Sequence, residues 1–342
     1  MRIAHVMLAK KFGGAERSFV DLVLALAGRG HEVLAIGEAR GSALALLQDI
    51  AGVETREVRC YGSWDRLAEQ HIRRELARFA PTVVHAHLAR AAHLGGRAAH
   101  ALGVPTVAKT HNLVNLKYYQ HIDVLVPTTA AQADYLAARG THAALQRIPN
   151  FSRLAAVDAI PSPPSPPYRI AGLGRFVHKK GFDVLIEACG YLVDAGVDLV
   201  LDLGGDGREL AALTRDISRH GLEGRVRLRG WIDDVSTFLD GAHLFVLPSR
   251  DEPFGIVLLE AMARGVPIVA TRTQGPREVL DGTSAWLVDA DDPAALAAAM
   301  RVALDPATGA ERASHALARY RETYSEAPVV AQYLDLYARL QR

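Results

Sequence analysis

Leu247-Pro-Ser-Arg-Asp-Glu-Pro-Phe-Gly-Ile-Val-Leu-Leu-Glu-Ala-Met-Ala-Arg-Gly-Val-Pro-Ile-Val-Ala-Thr271 reads as a strand end, a loop, a short helix and the next strand. The apolar run up to Leu247 suits a strand, the helix is expected to start near Phe254, and Ile268 to Ala270 is a second short apolar run. Strand, helix and strand in that order are the unit of a parallel sheet buried on both faces. Two acids stand out: Glu252 ends the loop, and Glu260 sits mid-helix among Val257, Leu258, Leu259, Ala261 and Met262. A carboxylate in such apolar company is costly unless it is paired or accepts hydrogen bonds. Ribose hydroxyls are suitable partners, although a lone helix glutamate more often faces solvent.

The same rhythm extends both ways. Tyr168 to Leu173, Leu199 to Leu203, Val226 to Leu228 and Leu244 to Leu247 are further apolar runs, and Phe182 to Val193 lies between the first two. Toward the N-terminus, Arg2 to Leu8, Glu32 to Ile36 and Thr82 to His85 alternate with the Ala-rich stretches Ala15 to Ala27, Ser42 to Asp49 and Ala91 to Leu102, and Val104 to Lys109, Val124 to Val126 and Leu145 to Ile148 extend the sheet. Between the halves lies Pro161-Ser-Pro-Pro-Ser-Pro-Pro167, a semi-rigid spacer. The expected architecture is therefore α/β: two Rossmann-like doubly wound domains, residues 1–160 and 168–322, facing across a cleft. An amphipathic segment, 323–342, either caps its own domain or crosses back to the first.

Composition excludes several classes. A chain of 342 residues with 49% hydrophobic and 23% charged residues suits two folded domains rather than a disordered or fibrous protein. Cys60 and Cys189 have no ligand-like spacing, and no signal h-region or membrane span is evident, so a reducing cytoplasmic setting is expected. Residues 1–150 hold 18 Lys+Arg against 12 Asp+Glu, and the remainder 21 against 26, giving +6 and −5. The basic half fits an anionic acceptor or a membrane surface as well as it fits unequal solvated faces. No nucleic-acid partner is expected.

Chemistry concentrates in loops after strands. Gly13-Gly14 precedes a helix near Glu16, where open backbone N–H groups could hold a phosphate, though a plain tight turn explains the two glycines equally well. Arg175 and Lys180, in Gly172-Leu-Gly-Arg-Phe-Val-His-Lys-Lys-Gly181, can bring a guanidinium and an ammonium to a pyrophosphate. Gly204-Gly205-Asp206-Gly207 permits close backbone approach but lacks the full dinucleotide spacing. Asp289-Ala-Asp291 matches a metal motif, yet it precedes the helix Pro293 to Met300, where acids cap. His85-Ala-His87 offers two imidazoles on one strand face with no third ligand placed by spacing, so no metal and no cofactor are expected.

Taken in order, Gly13-Gly14-Ala15-Glu16, Thr110-His111-Asn112, Gly174-Arg175-Phe176 with Lys180-Gly181, Gly204-Gly205-Asp206-Gly207, Glu252 with Glu260, and Gly275-Pro276-Arg277-Glu278 resemble a family 4 glycosyltransferase of the GT-B fold across nearly the whole chain. The resemblance implies a retaining, metal-independent hexosyltransferase that takes a UDP- or GDP-sugar. Arg175 and Lys180 would neutralise the diphosphate, Glu260 would hold the ribose, and Glu252 the transferred sugar. His111 would touch that sugar near the reacting carbon, and Gly14 would face phosphate and acceptor. Gly13, Glu16, Gly205, Asp206, Phe254, Gly255 and Ile256 would complete the substrate-binding set. A glycan or lipid-linked acceptor, such as lipopolysaccharide core, and peripheral attachment to the inner membrane surface are implied as well. A phosphorylase or epimerase of the same fold, or a non-catalytic nucleotide-sugar-binding subunit, are the alternatives. Pro276 departs from the family's second glycine there, which leaves the donor sugar open.

Overall fold

The computed structural model describes residues 1–11, 13–161 and 165–341. Ser162, Pro163 and Pro164, in the expected proline-rich spacer, lie outside the described residues. The chain forms two compact units: Met1–Phe151 with the segment from Glu326 to the C-terminus, and Ser152–Ser325.

Unit 1 is built in chain order from β1 (Arg2–Met7), α1 (Gly14–Ala27), β2 (Glu32–Glu38), β3 (Val53–Val58), α2 (Arg66–Phe79), β4 (Val83–His87), α3 (Leu88–His100), β5 (Thr106–Thr110), β6 (Val124–Pro127), α4 (Ala130–Ala138) and β7 (Ala144–Leu145). The strands form one parallel sheet in the order β3-β2-β1-β4-β5-β6-β7. Both faces of this sheet are covered, one layer containing Phe19, Leu22 and Leu26 of α1 and the other Ile72 and Leu76 of α2 with Leu94 of α3. That double burial explains why the central strands read as unbroken apolar runs. Three elements of this unit escaped the sequence reading, β3, α2 and the short Ala-rich α4. β3 carries Glu54, Arg56 and Glu57 on an edge strand, and α2 is too rich in arginine to show an apolar run. The helix expected over Ser42 to Asp49 is only a 3-10 turn, Leu44–Leu47, because so short a segment cannot repay helix nucleation.

Unit 2 continues with β8 (Tyr168–Leu173), α5 (Phe182–Asp194), β9 (Leu199–Gly204), α6 (Leu210–Arg219), β10 (Val226–Leu228), α7 (Val235–Asp240), β11 (Leu244–Leu247), α8 (Ile256–Ala263), β12 (Ile268–Thr271), α9 (Gln274–Val279), β13 (Trp286–Val288), α10 (Pro293–Ala303) and α11 (Pro306–Arg319). Its parallel sheet runs β10-β9-β8-β11-β12-β13. Residues 152–160, which the sequence reading groups with the first domain, pack here: Leu154 and Ala156 join the apolar layer of α8, and Val157 N donates to Ala263 O at 2.9 Å.

The last helix, α12 (Glu326–Leu340), belongs to unit 1. Its Val329, Val330, Tyr333, Leu336 and Tyr337 are buried in the layer of α1, and Arg29 Nη1 binds Glu326 at 2.6 Å. The amphipathic period of the C-terminal segment thus crosses back to the first unit.

Candidate functional site

In an open parallel sheet, ligands bind beyond the carboxyl ends of the strands where the strand order reverses. In unit 2 the reversal lies between β8 and β11, since β9 and β10 extend one way from β8, and β12 and β13 the other way from β11. The loops leaving β8 and β11 contain Arg175, Lys180, Glu252 and Phe254, and the structure joins them: Lys180 Nζ hydrogen-bonds Glu252 Oε2, with both side chains largely buried. The guanidinium of Arg175 is exposed, without an ion-pair partner among the described residues.

Arg250, which sequence reasoning passed over, fixes that encounter. It makes two hydrogen bonds of 2.8 Å to the carboxylate of Asp183 at the start of α5, a third of 2.8 Å to His178 O, and one of 2.5 Å to Asp291. Backbone bonds from Arg250 N to Lys179 O at 2.8 Å and from Gly275 N to Glu252 O at 2.8 Å tie the neighbouring loops in as well. Burial pushes the Asp183 carboxyl up, but the hydrogen bonds and charge of Arg250 outweigh it and leave Asp183 below the usual range. The Arg250 guanidinium is raised in turn, chiefly by its hydrogen bonds to Asp183.

Glycines close the floor. At Gly205, φ is +139° and a Cβ would lie 1.9 Å from Gly174 O, so the two glycine loops after β8 and β9 touch backbone to backbone. Gly275 is equally close-packed, since a Cβ there would meet Phe254 Cα at 2.4 Å. Asp206 hydrogen-bonds through Oδ1 to the next amide, Gly207 N, at 2.7 Å, and Phe176 N donates to its carbonyl at 2.8 Å. Glu260 lies inside α8 and is buried, whereas the solvent-facing reading would have exposed it.

The helix starts follow a pattern. α1, α3, α5, α6, α8 and α9, each after a strand inside its sheet, have no side-chain cap, whereas α2, α7 and α10, each after an edge strand, are capped by Asp65, Asp234 and Asp292; α4, after the inner strand β6, departs from this and is capped by Thr129. Uncapped first-turn amides carry the positive end of the helix dipole and favour anions. Gly13, Gly181 and Gly255 hold the N-cap positions of α1, α5 and α8, and Ile256 is the first residue of α8. The expected capping by Asp289 and Asp291 needs correction: Asp292 caps α10, while Asp289 binds Arg272 at 2.7 Å and Asp291 binds Arg250.

In unit 1 the strand order reverses between β1 and β4. Gly13 and Gly14 follow β1, Gly14 is exposed, and Glu16 is buried in the first turn of α1. Gly13 has φ −165°, extended backbone open to any residue. The strained position is instead Leu88, the first residue of α3, with φ +67°; nothing in its sequence context announces it.

Below these loops runs a stack of imidazoles. Half-buried His111 stacks on His87 at 5.7 Å, and His87 on His85 at 4.5 Å. His5 of β1, paired in register with His85, bonds His87 through Nδ1 at 3.1 Å, and His85 Nδ1 meets the Tyr337 hydroxyl of α12 at 2.6 Å. Register therefore supplies the third imidazole that spacing along one strand could not. One nitrogen from each of the three rings lies within 4.8 Å of the others, where bonds of about 2.0–2.1 Å to a shared tetrahedral ion would set them roughly 3.3 Å apart. The rings of His85 and His87 lie 15° from parallel, so their in-plane lone pairs run side by side. Burial, reinforced by nearby Lys109, lowers His5 to about 3 and pushes His111 well down; for His85 and His87 the neighbouring imidazoles add to burial. Lys109 is itself lowered by burial to about 7, and donates to Ser18 Oγ at 2.9 Å.

Two family models cover most of the chain: Glycosyltransferase Family 4 matches residues 12–156, and Glycosyl transferases group 1 matches 167–305. The lipopolysaccharide core biosynthesis glycosyltransferase LpsE of Rhizobium meliloti is 34% identical over 88% of either chain, and LpsD of the same organism is 32% identical over 99% of this chain and 98% of its own. Among solved structures, Anabaena Alr3699/HepE in complex with UDP superposes with a TM-score of 0.83 at 21% identity, covering 99% of this chain and 100% of that one. The lipopolysaccharide outer core galactosyltransferase WaaB gives 0.78 at 16%, covering 99% and 100%. At such identities the likeness shows the fold, which is GT-B.

Proposed function

The chain belongs to the family 4 glycosyltransferases, and from that premise we propose that it moves a hexose, with retention, from a UDP- or GDP-sugar to a hydroxyl of a lipid-linked or lipopolysaccharide-core acceptor at the cytoplasmic membrane face. The observation that carries the donor half of this reading is the Lys180–Glu252 pair at the β8/β11 switch point, beside the uncapped starts of α5 and α8. Support comes from HepE, whose structures hold UDP and UDP-glucose, and from LpsE and LpsD, which are named for lipopolysaccharide core synthesis.

In this reading the bond between the anomeric carbon and the diphosphate oxygen breaks, and its electron pair leaves with the diphosphate. The acceptor oxygen bonds the same carbon from the same face and passes its proton to the departing phosphate oxygen. The protein's part is electrostatic, because charge grows on the leaving group in the transition state. Lys180, already oriented by Glu252, has further N–H bonds to offer the diphosphate, and exposed Arg175 adds a second cation. Glu252 keeps acceptor capacity for sugar hydroxyls, and Glu260 takes the ribose. Gly205, Asp206, Phe254, Gly255 and Ile256 shape the donor loops, while Gly13, Gly14, Glu16 and His111 serve the transferred sugar and the acceptor. Neutral His111 suits contact with a carbon that becomes positively charged, since an imidazolium would repel it.

Calorimetric titration with UDP, GDP, ADP and their sugar conjugates tests the donor assignment. One nucleotide diphosphate should bind, and Glu260→Gln should weaken it at least roughly tenfold, as expected for a lost charged hydrogen bond. Absence of binding by all three, or unchanged affinity in the variant, would remove it.

A further inference from the structure

Helix α2 is amphipathic in an unusual way. Ala68, Ile72, Leu76 and Phe79 are buried against the sheet. At 3.6 residues per turn the exposed positions Arg66, Leu67, Gln70, His71, Arg73, Arg74, Ala77 and Arg78 fall within an arc of about 160°. That arc holds four arginines and no acid, and none of the four has an ion-pair partner among the described residues. The helix's two acids stand at its margins and are taken: Glu69 binds Arg97 at 2.8 Å and Glu75 binds Arg56 at 3.1 Å. Asp65, just before the helix, spends its carboxylate on the amides of Tyr61, Leu67 and Ala68. Much of the +6 charge of residues 1–150 is thus gathered on one uncompensated face.

At the N-terminal end of this face the chain exposes large apolar groups. Tyr61 and Leu67 are each 77% exposed and Trp64 65%. The Trp64 ring is held in place, resting edge-on against His93 at 4.3 Å and lying 6.5 Å from Tyr118. Cations flank them: Arg40 lies over the Tyr61 ring at 5.4 Å and Lys117 over Tyr118 at 4.8 Å. Leu67 falls inside the arginine arc, so the apolar tip and the basic face are one surface.

We propose that Tyr61, Trp64 and Leu67, with Arg66, Arg73, Arg74 and Arg78, dock unit 1 on the surface of an anionic lipid bilayer. Tryptophan and tyrosine settle at the headgroup boundary, a leucine reaches the acyl chains, and guanidinium groups pair with lipid phosphates. A second copy of the chain is a poor occupant, since isologous pairing would set the same arginines face to face. The inference places on the molecule the membrane attachment proposed above, but its test needs neither donor nor turnover, so the two readings can fail separately.

The test is flotation of the full chain with phosphatidylcholine vesicles, with and without phosphatidylglycerol. Binding is expected only where phosphatidylglycerol is present, and should weaken as salt rises. Each arginine is worth about fivefold in partition, so replacing all four by Gln should cost at least roughly 100-fold. Trp64→Ser with Leu67→Ser should also weaken binding while leaving its salt dependence intact. Every substituted side chain is exposed, and an unchanged thermal midpoint verifies the fold. Equal binding to phosphatidylcholine alone, or wild-type binding by both variants, would overturn the proposal. So would self-association in place of vesicle binding, if the same substitutions abolish it.

Discussion

Lys180→Met should damage unit 2 in two separable ways. The substitution keeps the length of the side chain but leaves the Glu252 carboxylate, whose side chain is 9% exposed, without its cation. Removing one partner of a buried pair costs about 3–5 kcal/mol, and residual solvent contact at 14% and 9% exposure argues for the low end, about 3 kcal/mol. In a domain of this size, about 2–4 °C per kcal/mol places the drop in the unit 2 melting transition near 9 °C. Adding Glu252→Leu removes the stranded charge, so the double variant should regain most of the loss. Donor binding should fail in both, because the diphosphate has lost its ammonium. Differential scanning calorimetry with and without nucleotide reads both quantities. A single variant destabilised by less than about 1 kcal/mol would show the pair to be an ordinary surface contact. A double variant no more stable than the single one, or one that binds nucleotide like the wild type, would refute the reasoning outright.

Gly205→Ala forces a Cβ to within 1.9 Å of Gly174 O at a φ of +139°, and should cost about 3 kcal/mol and weaken nucleotide binding; Gly282→Ala, with open space around its Cβ, is the control and should change chemical-denaturation midpoints little. The buried imidazoles set an acid dependence. Because His5 is lowered from 6.5 to about 3, the unfolded chain takes up the proton first as pH falls, and stability present above pH 6.5 is progressively lost towards pH 3. Between pH 7 and pH 5 His5 alone should account for about 2 kcal/mol, with His85 and His87 acting in the same direction; urea titrations that are flat across this interval, or unchanged in slope by His5→Gln, would contradict it. Lys109, lowered to about 7 from 10.5, has the same sign at higher pH, so its penalty should be relieved between pH 7 and 10.5. Tyr337→Phe removes the 2.6 Å bond to His85 and should cost about 1–2 kcal/mol, whereas an unaffected melting temperature would mean that this bond adds nothing to the hold on α12.

The residues that could be read ahead of the structure share a trait: their chemistry is local in the chain. The strand-loop-helix-strand run from Leu247 to Thr271 folds as it reads, and glycines at 205 and 275 mark places where backbone meets backbone. What stayed hidden depends on pairing across long separations. Arg250 finds Asp183 67 residues away, and His5 reaches His87 across 82, both through strand order that no periodicity reveals. β3 and α2 were passed over because an edge strand with alternating charges and an arginine-coated helix bury too little apolar surface to show as hydrophobic runs. That polarity is also what frees α2 to face something other than the core.

The most direct test of the central claim follows the transferred sugar itself. The full chain, incubated with the α-configured nucleotide sugar that binds it and with a lipid-linked core acceptor, should yield a product whose new anomeric proton carries the small coupling of an α linkage in proton NMR. A β product would contradict retention, and consumption of the donor to sugar phosphate only, with acceptor untouched, would contradict glycosyl transfer.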